Sequence, residues 1–369
     1  MLFRSLPWLR DGYGNPNSVY SLGQKARAAV ERARESVARL IGAADSSEII
    51  FTSGGTESDV FAISGAAWQA RAEKNGRGAV VATRIEHDAV RGQLSELRRR
   101  GFEVAEALCG PDGVVSAEAL LGAIDERTIV VSVMHANNET GVLQPVAEIA
   151  AAARARGALM HTDAVQSLGK IAVDVKALGV DMLSLSGHKL NAPKGVGALY
   201  VRRGVRLSPV LTGHQEKERR GGTENVAGIV ALGAAAELAL RELKSAAAHA
   251  LVLRRRLEDG VLKISGARLN GDWERRLPNT SNFVFDGVDG HHLVVALDLE
   301  GFCVSSGPAC SSGASSASHV LTAMGIDALL AAASLRISTG WGTTEADIDR
   351  FLKCLPGAID RLRSAASVA

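Results

Sequence analysis

Six short apolar runs, interleaved with helical patterns, constrain this chain most. They are residues 48–51, 79–82, 128–134, 158–162, 182–185 and 196–201. Runs 79–82 and 128–134 are continuously apolar, which is the pattern of strands buried on both faces of a parallel sheet. Helical patterns at 24–40, after Thr56 and at 146–156 complete a βαβα order. That order predicts an α/β fold with a mostly parallel sheet covered on both faces. Ligands of such sheets bind at the carboxyl ends of the strands. Gly55, His87, Asn138, Asp163 and Lys189 each follow an apolar run, so they are the first candidates for a site.

After Gly222 the pattern changes. Residues 226–262 read as one long alanine-rich helix connecting two domains. Beyond it, strands at 280–285, 301–304 and 335–338 mix with helices at 291–297 and 344–363, a smaller α+β domain. The expected division is 12–240 for the large domain and 241–369, with 1–11, for the small one.

With 369 residues, the chain is long enough for two domains with large cores. Its 42 basic and 40 acidic side chains leave a net charge of +2, too small an excess to suggest nucleic-acid binding. Arg98-Arg99-Arg100 and Arg254-Arg255-Arg256 lie in helical patterns and read as solvated faces. The longest uncharged apolar run, 226–236, is too short to span a bilayer, and the first eight residues lack the features of a signal peptide. The four cysteines form no disulfide framework, so a reducing cytoplasm is the expected compartment.

Several strand ends carry chemistry. Lys189 in Ser186-Gly187-His188-Lys189 is held just past a strand, beside a hydroxyl and an imidazole. A lysine so placed suits a Schiff base and is the usual tether of pyridoxal phosphate. Thr52-Ser53-Gly54-Gly55-Thr56-Glu57-Ser58 joins a strand to a helix, and its free N–H groups could cradle a phosphate or merely cap the helix. Asp163 could pair with a protonated pyridine nitrogen or cap the next helix, and Gln166 could reach the ring's phenolic oxygen. His87 could stack on a flat ring and move protons, or be structural. Asn137-Asn138 offers amide donors and acceptors, or a turn. Arg336, a charge on an apolar strand, suits a substrate carboxylate or a structural salt bridge. Cys310 lies in a Ser/Gly/Ala-rich loop where a thiolate can swing to a substrate. Cys303, in an apolar strand, is the expected buried counterpart.

In this order the motifs resemble the cysteine desulfurases of the aminotransferase class V group. The matching stretches are 13–16, 51–58, 135–141, 161–166, 186–189, 219–225, 305–312 and 335–336, spread over nearly the whole chain. The resemblance is closest to the NifS-like branch, which supplies sulfur for nitrogenase clusters, and the cysteine loop resembles the long-loop NifS/IscS group. It implies fold type I, with a seven-stranded sheet in the large domain, and pyridoxal 5'-phosphate as cofactor.

The resemblance assigns roles. Lys189 is the Schiff-base lysine, Asp163 pairs with the pyridine nitrogen, and Gln166 and Asn138 contact ring or substrate. His87 stacks on the ring and relays protons. Gly55, Thr56, Ser186 and His188 hold the phosphate, and Thr223 reaches the phosphate of a neighbouring subunit in a homodimer. Arg336 binds the α-carboxylate of L-cysteine, and Cys310 accepts its sulfur as a persulfide. That sulfur then passes to an iron-sulfur scaffold protein. The reaction calls for no resident metal; Cys310 is at most a ligand to a cluster in transit. Relatives begin with a strand and an Asn-Asn-Ala-Thr-Thr-like segment that Met1 to Trp8 does not reproduce. That departure leaves an inactive cofactor-binding protein as one alternative reading; a selenocysteine lyase or another class V enzyme is the other.

Overall fold

The computed structural model describes residues 2–74, 76–307 and 317–366. They divide into two compact units, residues 1–107, 117–135 and 145–243 in one, and 108–116, 136–144 and 244–369 in the other. Residues 2–11, expected with the small domain, fall in the first unit. Their helix, Leu2–Arg10, is joined by only ten residues to helix Ser21–Leu40, whose Ala26, Val30, Ala33 and Val37 are buried in that unit.

The first unit is built on seven strands: β1 (Ile49–Thr52), β2 (Ala79–Thr83), β3 (Glu103–Ala107), β4 (Thr128–Ser132), β5 (Leu159–Asp163), β6 (Met182–Ser186) and β7 (Gly197–Val201). Their order is β1-β7-β6-β5-β4-β2-β3. Only β7 runs antiparallel to its neighbours. The remaining pairs are parallel, so Thr52, Thr83, Ser132, Asp163 and Ser186 end their strands on one edge. β1, β4, β6 and β7 are buried at every residue, including the small hydroxyl residues Thr52, Ser132, Ser184 and Ser186. β3 is the exception: it is an edge strand whose Glu-Val-Ala-Glu-Ala alternation leaves it half covered.

Helix Gly55–Glu73 lies across β4 to β7. Its sheet side is Ala-, Gly- and Ser-rich, and Phe61, Ile63, Ala66 and Ala67 enter the core with Val80, Val130 and Leu199. The long helix is observed at Val226–Val261.

The second unit holds a three-stranded antiparallel sheet, β8 (Ala267–Leu269), β9 (Thr280–Phe285) and β10 (Ser334–Ser338), ordered β10-β9-β8. Helices Gly290–Leu299 and Glu345–Ala366 pack with it around Phe283, Phe285, Leu293 and Leu355. The strand expected at 301–304 does not form. Its backbone makes no ladder there, and only Ser305 bridges Arg336. Cys303 is accordingly exposed, not buried.

The arginine runs also differ from expectation in one place. Arg98, Arg99 and Arg100 pair with Glu106 and Glu96 at the surface. Arg254 is buried, because Glu258 one turn later and the carbonyl of Leu277 take its guanidinium. Among the described residues no helix is long and apolar enough to cross a membrane.

Candidate active site

The carboxyl edge of the large sheet gathers the candidates of the first unit. β1 ends at Thr52, and helix Gly55–Glu73 begins three residues later. The turn can be this tight because of glycine: a Cβ at Gly55 would stand 2.8 Å from Val165 Cγ2. Across the turn, Ser186 ends β6, and its Cβ is 3.5 Å from that same point. Ser186 Oγ and His188 Nδ1 are 2.9 Å apart. Gly55, Ser186 and His188 therefore share one small volume at the positive end of a 19-residue helix, where backbone N–H groups lack intrahelical acceptors. Thr56 is exposed in the first helical turn. Burial and the neighbouring Lys189, Lys194 and Lys170 hold the His188 imidazole below its ordinary range.

One acidic side chain intrudes on this anion-friendly turn, and it is neutralised. Glu57 accepts from Arg220 Nε at 2.8 Å and Nη2 at 3.1 Å, and from the Ser53 N–H at 2.9 Å. Burial pushes the Glu57 carboxyl up, but these donors outweigh it and keep it below the usual range. Arg220 is three residues before Thr223, which is exposed.

Asp163 ends β5 and is buried. Its Oδ1 accepts the Val165 N–H at 2.8 Å within a turn, and the helix expected to start there does not form: the next one begins only at Val175. Burial raises its carboxyl; the Val165 N–H and the charges of His87 and Lys189 pull the other way without winning. Lys189 sits in the single turn Gly187–Leu190 that follows β6 and is an exposed residue. His87 caps helix Asp88–Arg99, its Nδ1 accepting the Ala89 N–H at 3.1 Å. That contact leaves the proton of a neutral ring on Nε2. Gln166 lies half-buried three residues after Asp163.

Asn138 and Arg336 belong to the second unit. Arg336 Nη1 donates to the Asn138 carbonyl at 2.9 Å. Asn138 Oδ1 is buried with no hydrogen-bond partner among the described residues. The next residue, Glu139, accepts from Ser318 Oγ at 2.5 Å. Cys310 lies outside the described residues. No cluster of metal-ligating side chains occurs among the described residues.

Pyridoxal phosphate fits what is present. The glycine turn with Ser186 and His188 offers a phosphate seat. Asp163 is a buried carboxyl in want of a cation, which a protonated ring nitrogen supplies. Lys189 is close enough to Asp163 for its charge to be felt.

Sequence reading missed three groups around the site: Arg220 with Glu57, Glu86, and Asp59. Asp59 had a legible signal, since it lies four residues after Gly55 and so on the same helix face.

The aminotransferase class-V family profile matches residues 4–351. A cysteine desulfurase from a Nostoc species is 46% identical over 361 residues, 97% of this chain and 89% of the relative. A cysteine desulfurase IscS from Methanosarcina thermophila is 43% identical, over 97% of this chain and 88% of its own length. Among solved structures, a NifS-like protein superposes with a TM-score of 0.89 at 37% identity, covering 100% of this chain and 95% of that one. DndA from Streptomyces lividans gives 0.79 at 39%, covering 91% and 94%. The fold is therefore that of the fold type I pyridoxal phosphate enzymes, and the chain belongs to the aminotransferase class-V family.

Proposed function

We propose that this chain is a pyridoxal phosphate-dependent cysteine desulfurase that converts L-cysteine to L-alanine. The observation that supports it most is the convergence of Lys189, Asp163 and the Gly55–Ser186–His188 turn on one sheet edge. The names of its relatives point the same way.

Lys189 tethers the cofactor, whose phosphate the N–H groups of Gly55 and Thr56 hold together with Ser186 and His188. Thr223 of a neighbouring subunit completes that seat in a homodimer. Bound there, pyridoxal phosphate supplies an electron sink for charge developing at the substrate Cα. Asp163 keeps a proton on the ring nitrogen. His87 stacks on the ring, and Gln166 and Asn138 hydrogen-bond its oxygen or the substrate. Arg336 takes the substrate carboxylate with its planar fork. Lys189 Nζ would be the base that takes the substrate Cα proton. The Cys310 thiolate attacks the substrate sulfur; the Cβ–S bond breaks, its electron pair stays with the carbon fragment, and protonation yields alanine. The sulfur remains on Cys310 as a persulfide, for an iron-sulfur scaffold protein in the cytoplasm. Nitrogenase cluster assembly is the finer reading, in keeping with the NifS-like motifs.

The test is mass spectrometry of the protein after exposure to cysteine. The expected result is one added sulfur atom on Cys310, with alanine released. Full sulfide release from Cys310→Ala would overturn the persulfide step. An absorbance band that survives Lys189→Ala would overturn the tether. Relative rates on cysteine and selenocysteine separate a desulfurase from a selenocysteine lyase.

A further inference from the structure

The proposed mechanism leaves one set of buried polar side chains in the first unit without a task. Helix Gly55–Glu73 turns Asp59 toward the sheet one turn after Gly55. Beneath it, β4, β5 and β6 bring Ser132, His161 and Ser184 together, with Ser132 paired to His161 and Asp163 paired to Ser184. His161 and Asp163 are two residues apart on β5 and share a face. Asp59 is 1% exposed, and Ser132, His161 and Ser184 are fully buried.

The contacts form a chain. His161 Nδ1 lies 2.8 Å from Ser132 Oγ, and His161 Nε2 lies 2.9 Å from Ser184 Oγ. Ser184 is the hydroxyl whose influence on the Asp59 carboxyl opposes the effect of burial. Asp59 Oδ1 is 3.6 Å from His161 Nε2 and has no hydrogen-bond partner among the described residues.

An ionised Asp59 would leave that oxygen a bare buried anion, which is strongly unfavourable. No cation offsets it: burial pushes the His161 imidazole down to about 3, so the ring is neutral. The charges that reach Asp59 are those of Asp163 and Glu86, both carboxyls. Burial with those neighbours drives Asp59 well above the usual carboxylate range against the opposing effect of Ser184 alone. Burial likewise lifts Glu86 to about 8. A protonated Asp59 satisfies the whole chain. Its O–H donates to Ser184 Oγ, the Ser184 O–H donates to His161 Nε2, and His161 Nδ1–H donates to Ser132 Oγ.

We propose that Asp59 is a positioning residue held as a neutral carboxylic acid, which orders the Ser184–His161–Ser132 chain and leaves Asp163 the one anion available to the cofactor's ring nitrogen. The second half of this statement rests on the proposed role of Asp163; the charge state of Asp59 does not. Asp163 acts on the ring, and Asp59 acts only through Asp163 and its neighbours.

The test compares wild type with Asp59→Asn and Asp59→Leu. Infrared difference spectra at neutral pH should show a carboxylic-acid C=O stretch that Asp59→Asn removes, in the holoenzyme and in cofactor-free protein alike. Asp59→Asn, neutral and similar in shape, should keep the pH midpoint of the cofactor's visible absorbance within about twofold in proton affinity. Asp59→Leu removes the hydrogen bond at similar volume and should move that midpoint by about one unit, a tenfold change. If Asp59→Leu fails to fold, Ser184→Ala cuts the same chain and is read in the same way. A wild type whose acid band is unchanged by Asp59→Asn overturns the proposal, as does a midpoint shift of a full unit in Asp59→Asn. A cut chain that leaves the midpoint at its wild-type value also overturns it. Protein that takes no cofactor would sink the proposed function, while the infrared band still decides the charge of Asp59.

Discussion

Ser305 and Arg336 exchange backbone hydrogen bonds in both directions, Ser305 N–H to Arg336 O at 3.2 Å and Arg336 N–H to Ser305 O at 2.6 Å. The residue proposed to bind the substrate carboxylate is thus locked, through its backbone, to the start of the segment that carries Cys310. Its side chain is fixed as well, one guanidinium nitrogen on the Asn138 carbonyl. Arg336→Lys keeps the charge and loses the fork. The expected outcome is a KM for cysteine raised about 10- to 100-fold, with cofactor binding unchanged. Steady-state kinetics with a cofactor titration check this. An unaltered KM would remove Arg336 from the substrate site.

Glu57 and Arg220 make a second linked pair. Arg220→Ala strips Glu57 of two donors and leaves a carboxylate in the first turn of the phosphate seat. Pyridoxal phosphate affinity should fall about tenfold, equivalent to about 1.4 kcal/mol. Adding Glu57→Gln should restore most of it, because the double variant has no unpaired charge there. A double-mutant cycle by fluorescence titration measures the coupling. Strict additivity would mean that Arg220 acts on the cofactor through something other than Glu57.

Glu86 carries a pH signature in the cofactor-free protein. Burial lifts its carboxyl from 4.5 to about 8, despite bonds from Thr83 Oγ1 at 2.6 Å and the Met134 N–H at 3.0 Å. Between those two values the folded state holds a proton that the unfolded state has lost. Stability from this group is therefore fully present below pH 4.5 and is lost as pH rises through about 8. Glu86→Gln cannot titrate. Its stability relative to wild type should rise across that window by a few kcal/mol, on the order of one per pH unit. Urea midpoints at several pH values check the slope, and parallel curves for the two proteins would refute it.

The fold was legible wherever burial on both faces writes an uninterrupted apolar run. β2 and β7 and the apolar centre of β4 are the plainest cases, and because ligands gather at the carboxyl ends of strands in such a sheet, Asp163 after β5 and Lys189 after β6 were legible as well. β3 escaped because an edge strand with Glu103 and Glu106 lacks that signature. Residues 301–304 misled for the opposite reason: Phe302 and Val304 are apolar because they cover the core of the second unit, and Phe302 meets Phe351 edge-on at 5.2 Å. Apolar character there records burial and not extension. Arg254 looked like a surface residue because it stands in an Arg-Arg-Arg run, and the Leu277 carbonyl that takes its guanidinium is distant in sequence. The same holds for Asp59, whose meaning depends on three strands that only the sheet brings together.

The cluster around Glu258 yields the last prediction. Glu258 is fully buried, accepts from Ser281 Oγ at 2.6 Å, and lies 3.6 Å from Arg254 Nε and 3.7 Å from Arg276 Nη1. Burial pulls the Arg276 guanidinium down to about 10 even with Glu258 beside it. Removing the acid strands two buried cations, so Glu258→Gln should cost about 3–5 kcal/mol in a chemical melt. Buried ion clusters can often be exchanged for apolar side chains without loss. Here the arginines also donate to carbonyls, Arg254 to Leu277 and Arg276 to Asn270, Gly271 and Asp272. An apolar replacement of all three residues would leave those carbonyls without donors. Arg254→Met/Glu258→Leu/Arg276→Met should therefore remain destabilised by at least about 2 kcal/mol. A triple variant as stable as wild type would show that the cluster braces nothing and that its charges merely cancel.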